Sequence, residues 1–266
     1  KARQQGLIKF TITRTLPEQY KLAQELKMKY HLAHAIVVTS DVDENYTLNA
    51  LGKAGAEFLD RHLFDGCKLG MAWSKTVSSI GPFLHQIRKI NDLTIVELAG
   101  TYLRQGISYG ISWKVSEILQ APLISMPVPV VVRSQEARAA ILREENVANA
   151  LAAASKVDIA LVGIGAVHSA GTSVQAGFML EEERLLLDKK GIVGEILMRF
   201  FNKEGKPVPT DLDERVIGIR WNQLLKIPNV VSIAYGKEKF PAIYAALKSN
   251  VIKTLITDTD TASLLL

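Results

Sequence analysis

Short apolar runs and amphipathic stretches alternate along most of the chain. Each apolar run is rich in β-branched residues and ends in a turn of Gly, Ser, Thr or Asp. The pattern predicts strands at residues 35–39, 67–72, 93–98, 158–162, 230–234 and 252–257. It predicts helices at residues 46–62, 75–88, 108–119 and 238–248, and from residue 259. Because strands that are apolar almost throughout are buried on both sides, we expect an α/β fold with a mostly parallel sheet and helices on both faces.

Three segments depart from this alternation. Residues 199–208 predict a small hairpin insertion, with its turn at residues 203–205. Residues 135–155 are charged and helical, and the stretch is long enough for two helices. Near the start, a helix is expected over residues 17–30, because Pro17 suits a first helical turn. We interpret the two internal segments as insertions on one domain rather than as a second core.

Composition excludes several classes of function. Of the 266 residues, 48% are hydrophobic and 22% are charged, as in an ordinary globular protein. A single cysteine, Cys67, excludes an internal disulfide and fits a reducing cytoplasm. The five histidines show no metal-ligand spacing, so neither a metal nor a cofactor is expected. The longest apolar stretch, residues 121–132, contains three prolines and is too short for a membrane span of about 20 residues.

Turns that follow the predicted strands carry the candidate chemistry, because ligands of open parallel sheets bind outside the carboxyl ends of the strands. In the loop after residues 67–72, Gly70 allows close backbone approach, and Ser74 and Thr76 carry hydroxyl groups. Free N–H groups at the start of the next helix suit a phosphate. A simple helix cap by Ser74 explains the same residues equally well.

Three further turns offer weaker signals. Gly100 and Thr101 can approach the same anion, although an ordinary turn explains them as well. The Gly-Ile-Gly of residues 163–165 indicates tight backbone packing rather than a dinucleotide site. Glu195, beside a glycine in an apolar run, can accept hydrogen bonds from sugar hydroxyls, form a buried ion pair or lie at the surface.

A lysine and a histidine complete the set of candidates. Lys237 or Lys239 stands in the first turn of a predicted helix, where its charge opposes the helix dipole, and either can supply a point charge for a phosphate. His168 lies near the Gly-Ile-Gly turn and can reach a ligand there, but a lone histidine is more often structural.

Five segments read GMAWSKTV from residue 70, DIALVGIGAV from 158, VGEILMRFFNKEGKPV from 193, ERVIGI from 214 and VVSIAYGKEKF from 230. Together they resemble the sugar-binding domain of SorC-type transcriptional regulators, and the likeness covers essentially the whole chain. The first segment looks closest to the sorbose-operon regulators. The resemblance implies a Rossmann-like fold similar to ribose-5-phosphate isomerase and glucosamine-6-phosphate deaminase.

The resemblance also implies partners and a domain plan. The expected effector is a phosphorylated sugar, and the expected assembly is a homo-oligomer, a dimer or tetramer, in the cytoplasm. Operator DNA would be bound by a separate DNA-binding domain, because the net charge of +5 is scattered and no basic helix is visible. Residues 1–14 would connect that domain to an effector-binding domain formed by residues 15–266.

Matched motif by motif, the resemblance implies a set of effector-binding residues. They are Gly70, Trp73, Ser74, Lys75, Thr76, Gly100, Thr101, Glu195, Leu197 and Lys239. Three of them depart from the pattern common in the family: Lys75 stands where Arg is frequent, Thr101 where a second Gly is frequent, and Glu195 where Asp is frequent. These departures leave the identity of the sugar open.

Two other functions fit the same fold. One is a sugar-phosphate isomerase or deaminase, which needs a general base and a matching acid. Glu195 is a candidate base, but no acid partner is evident in the sequence. The other is an oligomerisation module that retains a pocket without using it. We expect a regulator rather than an enzyme.

Overall fold

The computed structural model describes residues 17–101, 110–167 and 179–266. Its strands are β1 (His34–Val38), β2 (Lys68–Met71), β3 (Thr94–Glu97), β4 (Leu123–Ile124), β5 (Ile159–Val162), β6 (Gly165–Ala166), β7 (Ile192–Ile196), β8 (Arg199–Asn202), β9 (Asn229–Ile233) and β10 (Thr254–Asp258). The expected connector, residues 1–14, lies outside the described residues, as does His168.

Helices follow most of the strands. They are α1 (Glu18–Lys29), α2 (Glu44–His62), α3 (Lys75–Ser78), α4 (Ile111–Leu119), α5 (Gln135–Ile141), α6 (Glu145–Ala154), α7 (Glu181–Lys189), α8 (Trp221–Leu224), α9 (Phe240–Lys248) and α10 (Thr259–Leu265). In the described part of the chain, no helix combines the length and the apolar character that crossing a membrane requires.

Seven strands form one parallel sheet in the order β1-β10-β9-β5-β2-β3-β4. From β2 the chain continues to β3 and β4 on one side, whereas from β5 it goes on to β9 and β10 on the other side. The connections that leave β2 and β5 therefore diverge, which opens a crevice at their carboxyl ends. The sheet confirms the predicted α/β fold class.

The core lies on both faces of the sheet. Along β5, Ala160 and Val162 belong to one buried cluster, and Ile159 and Leu161 belong to the other. This alternation is the two-residue period of a strand. Helices α1, α6, α9 and α10 pack into the first cluster, and α2 and α4 pack into the second. The expectation of helices on both faces is confirmed.

The hairpin insertion is larger than expected. Its turn at residues 203–205 is confirmed: Gly205 has a φ of 74°, and Oδ1 of Asn202 accepts hydrogen bonds from the backbone N–H groups of Glu204 and Lys206. However, β8 pairs mainly with β7, and β6 joins them in an antiparallel three-stranded sheet. This small sheet lies beyond the carboxyl end of β5.

One predicted helix is interrupted. Residues 75–88 form the short α3 and then a separate 3₁₀ turn, Gly81–Gln86, instead of one helix. Pro82 explains the break, because it has no N–H for a helical hydrogen bond. By contrast, the two helices expected within residues 135–155 are confirmed as α5 and α6.

Candidate functional site

A cavity opens at the crevice between the diverging connections. Its walls come from the loops after β2 and β5, from the β7–β8 hairpin and from the turn after β9. The lining residues are Ala72, Trp73, Ser74, Lys75, Thr76, Gly163, Ile164, Gly165, Glu195, Leu197 and Lys239. Seven of the ten predicted effector-binding residues are therefore brought together.

Ser74 and Thr76 form the polar wall after β2. Oγ of Ser74 accepts a hydrogen bond of 2.9 Å from the backbone N–H of Val77 and so caps α3. The hydroxyl groups of Ser74 and Thr76 lie 3.2 Å apart. The predicted cap is confirmed, and the same two hydroxyl groups face the cavity.

Gly163 and Gly165 form the floor between these groups and Glu195. A Cβ atom at Gly163 would lie 2.7 Å from Oγ of Ser74, and one at Gly165 would collide with Oε1 of Glu195. The tight packing expected for this turn is present, but it brings the glycines against cavity side chains rather than only against backbone. Both glycines were left out of the predicted site, although they directly follow a parallel strand.

Glu195 is nearly buried, with 9% of its surface exposed. Its Oε2 accepts a hydrogen bond of 2.7 Å from the backbone N–H of Met198. Leu197 and Met198 form the two-residue turn between β7 and β8, and their φ angles are 56° and 59°. Such turns normally contain Asn or Gly, and a bulky residue in this conformation is strained by about 1 kcal/mol or more. Burial of both residues offsets this strain, and the turn places Leu197 in the cavity wall.

Of the two candidate lysines, only Lys239 lines the cavity, and Lys237 is exposed. Burial lowers the pKa of Lys239 below its ordinary value, and nearby Glu238 and Glu195 partly offset this effect. Lys75 stands at the exposed rim, where its Nζ lies 3.8 Å from Oε2 of Glu44. The ion pair is solvated on both sides and contributes little to stability.

Gly70 does not line the cavity. It lies within β2, where a Cβ atom would be 2.5 Å from Cδ2 of Leu98 and 2.9 Å from Cγ2 of Val157. The expectation that Gly70 allows a ligand to approach is therefore corrected: the missing side chain makes room for core side chains next to the strand.

Gly100 and Thr101 line a separate small cavity on the other side of Trp73. Nε1 of Trp73 donates a hydrogen bond of 3.2 Å to the carbonyl oxygen of Gly100. The predicted second loop thus supports the Trp73 wall instead of lining the main cavity. In this small cavity, Glu97 accepts hydrogen bonds of 2.6 Å from Oγ of Ser112 and from the backbone N–H of Met126. The sequence interpretation missed Glu97, which stands at the carboxyl end of β3.

Metal binding and thiol chemistry have little support among the described residues. Within them, no group of three His, Cys, Asp or Glu side chains is arranged to hold a metal ion. Cys67 is buried, and burial raises the pKa of its thiol to about 11, so it is an unreactive core residue.

A family model described as "Putative sugar-binding domain" matches residues 15–266. The chain belongs to this family of sugar-binding domains. It is 28% identical to the sorbitol operon regulator of Klebsiella pneumoniae over the whole chain and 86% of that protein. It is 31% identical to the transcriptional regulator LsrR of Enterobacter sp. (strain 638), over 98% of this chain and 80% of that protein.

A solved structure agrees with these relationships. The crystal structure of the full-length sorbitol operon regulator SorC from Klebsiella pneumoniae superposes with a TM-score of 0.88, at 28% identity, over 99% of this chain and 86% of that chain. The resemblance to SorC-type regulators is thereby confirmed. The chain is the sugar-binding domain of a transcriptional regulator, and the regulatory interpretation is supported over the isomerase or deaminase alternative.

Proposed function

We propose that this sugar-binding domain binds a phosphorylated sugar in the cavity at the carboxyl ends of β2, β5 and β9. One observation carries the proposal: two residues with hydroxyl groups, a partly buried lysine and a buried glutamate line one small cavity. Ligand sites of this kind combine an apolar wall with a few placed polar groups.

The phosphate occupies the side of Ser74, Thr76 and Lys239. All three residues line the cavity, and Gly163 leaves the space beside the hydroxyl group of Ser74 free of a side chain. Lys75 adds positive charge at the rim. A bound phosphate would also lower the desolvation cost of the Lys239 ammonium group, because the anion replaces the water that burial removes.

The sugar occupies the side of Glu195 and Leu197. A carboxylate accepts hydrogen bonds from hydroxyl groups, whereas it repels a phosphate, so the two ends of the ligand are distinguished by charge. Leu197 and Trp73 provide apolar contact for the carbon chain. The sorbitol operon regulator among the relatives supports a sugar or sugar alcohol as the effector class.

Binding of the effector would control the full-length regulator through a shift between existing arrangements of its subunits. The relatives support operator DNA as the partner of that regulator and the cytoplasm as its location. We assign residues 1–14 as a connector toward the DNA-binding part, and a dimer or tetramer as the assembly. A coupling free energy of about 1–3 kcal/mol between the effector and DNA sites suffices to change operator occupancy several-fold.

A ligand panel tests the proposal. The chain is titrated calorimetrically with hexose 6-phosphates, pentose 5-phosphates and alditol phosphates, and with the same compounds without phosphate. We expect at least one phosphorylated member to bind and to stabilise the protein by about 2.7 kcal/mol at 100 times its Kd. If no member binds, the proposal is wrong and the oligomerisation module is favoured; if a member is turned over, the enzyme is favoured.

A further inference from the structure

One buried arginine, Arg199, joins the β7–β8 hairpin to the segment of residues 213–219. Arg199 directly follows the Leu197–Met198 turn, and only 6% of its surface is exposed. Its guanidinium group donates hydrogen bonds to three backbone carbonyl oxygens, at 3.0 Å to Asp213 and at 3.1 Å to Gly218 and Ile219. Arg199 also lies 3.5 Å from Oδ1 of Asp213.

The segment that Arg199 holds, residues 217–219, in turn holds the loop after β3. The backbone N–H of Ile219 donates to the carbonyl oxygen of Leu98 at 3.0 Å, and that of Gly100 donates to Ile217 at 2.9 Å. Gly100 then accepts the hydrogen bond from the indole of Trp73. A continuous series of hydrogen bonds therefore runs from the hairpin to Trp73.

The series closes into a ring that includes several residues of the cavity wall. Past Trp73, the backbone N–H of Ala72 donates to Leu161 at 3.0 Å, which ties the end of β2 to the end of β5. Gly165 follows β5 closely and pairs with Glu195 in the small sheet, which leads back to the hairpin. In this ring most links are backbone hydrogen bonds, whereas the link between the hairpin and residues 217–219 is made by the side chain of Arg199.

Burial of this arginine is unfavourable by itself. Desolvation lowers the pKa of Arg199, and desolvation is also the largest influence on Asp213, whose pKa is raised. A buried ion pair of this kind is often no more stabilising than well-packed apolar residues. Its geometry, with three carbonyl oxygens fixed by one planar group, is suited to hold two pieces of backbone in register.

On the basis of the proposed function, we propose that Arg199 is a positioning residue that determines which sugar the cavity accepts. By fixing the hairpin against residues 217–219, it sets the place of Glu195 and Leu197 relative to Trp73. The hydroxyl groups of Ser74 and Thr76 are fixed by the cap of α3, so their hold on a phosphate depends less on Arg199 than the place of Glu195 and Leu197 does. The proposal thus concerns discrimination among sugars and not affinity for phosphate.

Calorimetry on the Arg199→Met and Arg199→Lys variants tests this inference, with the same ligand panel and with inorganic phosphate as the member without a sugar. We expect Arg199→Met to bind the preferred sugar phosphate at least tenfold more weakly, while Kd for inorganic phosphate changes less than twofold. The differences among panel members should shrink, and Arg199→Lys should fall between the two proteins. The matched control is Arg143→Met, an exposed arginine that does not line the cavity and whose loss should leave the panel unchanged.

A second variant serves as the control for a loss of folding. Should Arg199→Met fail to fold, Arg199→Met combined with Asp213→Asn removes both charges of the buried pair and keeps the same prediction. A uniform loss for every ligand, phosphate included, or an unchanged order of preference would overturn the role of Arg199. Failure of the wild-type protein to bind any sugar phosphate would instead remove the proposed function, and with it the basis of this inference.

Discussion

A Cβ atom at Gly165 would collide with Oε1 of Glu195, because the two residues face each other in the ladder between β6 and β7. The space that Gly165 leaves is thus the space that the carboxylate occupies. The other carboxylate oxygen, Oε2, accepts a hydrogen bond from the backbone N–H of Met198 in the β7–β8 turn. Gly165 therefore fixes the carboxylate as closely as the turn does.

Gly165→Ala should displace the Glu195 carboxylate and weaken the binding of a sugar phosphate by about tenfold or more, since a hydrogen bond to a charged group contributes about 1.5–3 kcal/mol. Combination with Glu195→Asp, which shortens the side chain by one methylene, should restore part of the affinity. The control is Gly81→Ala, where the nearest atom to the new Cβ is Nζ of Lys114 at 3.3 Å. Calorimetric titration of the three variants measures this; unchanged affinity in Gly165→Ala would show that Glu195 makes no ligand contact.

Lys239→Ala should weaken the binding of a phosphorylated sugar far more than that of the same sugar without phosphate. Loss of a charge-assisted hydrogen bond predicts a reduction of about 10-fold to 150-fold for the phosphorylated form. Lys237→Ala is the matched control, because this neighbouring lysine is exposed and does not line the cavity. Equal losses for both forms of the ligand would mean that Lys239 contacts the sugar rather than the phosphate.

Much of the fold follows from patterns that are local in the sequence. Apolar β-branched runs identify the central strands. A parallel sheet is covered on both faces, so its central strands carry apolar side chains on both sides. The interruption after α3 was missed, although Gly81 and Pro82 are visible in the sequence. The β7–β8 turn was missed for a different reason: Leu197 and Met198 carry no turn signal, and burial on both sides keeps them in the left-handed conformation.

Part of the cavity could also be predicted from the sequence. Residues after parallel strands converge whatever their identity, so Ser74 and Lys239 were found from their positions in the chain and from family resemblance. Glu195 lies within the antiparallel strand β7 and was found from its place beside a glycine and from family resemblance. Gly70 and Gly163 show the limit of this approach. Each is a glycine at or near a strand end, yet one faces core side chains and the other faces Ser74. That difference depends on which neighbours the sheet order supplies, and the sequence does not reveal the order.

Ser74→Ala separates the two roles that the sequence left open for this residue, helix cap and ligand donor. Loss of an N-cap destabilises a protein by about 1 kcal/mol. Ser134 is a matched control, because its Oγ caps α5 in the same way, accepting a hydrogen bond from Ala137, and it does not line the cavity. In urea denaturation both variants should lose similar stability, but only Ser74→Ala should lose affinity for a sugar phosphate. If the two variants lose similar stability and show the same affinity for a sugar phosphate, Ser74 acts as a helix cap and not as a ligand donor.

The lowered pKa of Lys239 predicts how binding and stability depend on pH. In the folded protein without ligand, burial favours the neutral amine, so the pKa lies below the ordinary value of 10.5 that applies to the unfolded chain. As pH rises through the lowered pKa, the folded state releases a proton that the unfolded state still holds. The cost of the buried charge disappears, and the contribution of Lys239 to stability increases between the two pKa values.

The bound phosphate has the opposite requirement, because it is held by the protonated lysine. Affinity for a phosphorylated sugar should therefore fall as pH rises through the lowered pKa of Lys239, while affinity for the sugar without phosphate should change little. Lys239→Arg keeps its charge throughout this range, because a guanidinium group does not deprotonate there, and should lose the alkaline decrease. Isothermal titration of both proteins from neutral pH to about pH 10 in buffers of different ionisation enthalpy would detect the proton uptake. If the affinity of wild type and of Lys239→Arg decreases equally, another group causes the decrease and Lys239 does not hold the phosphate.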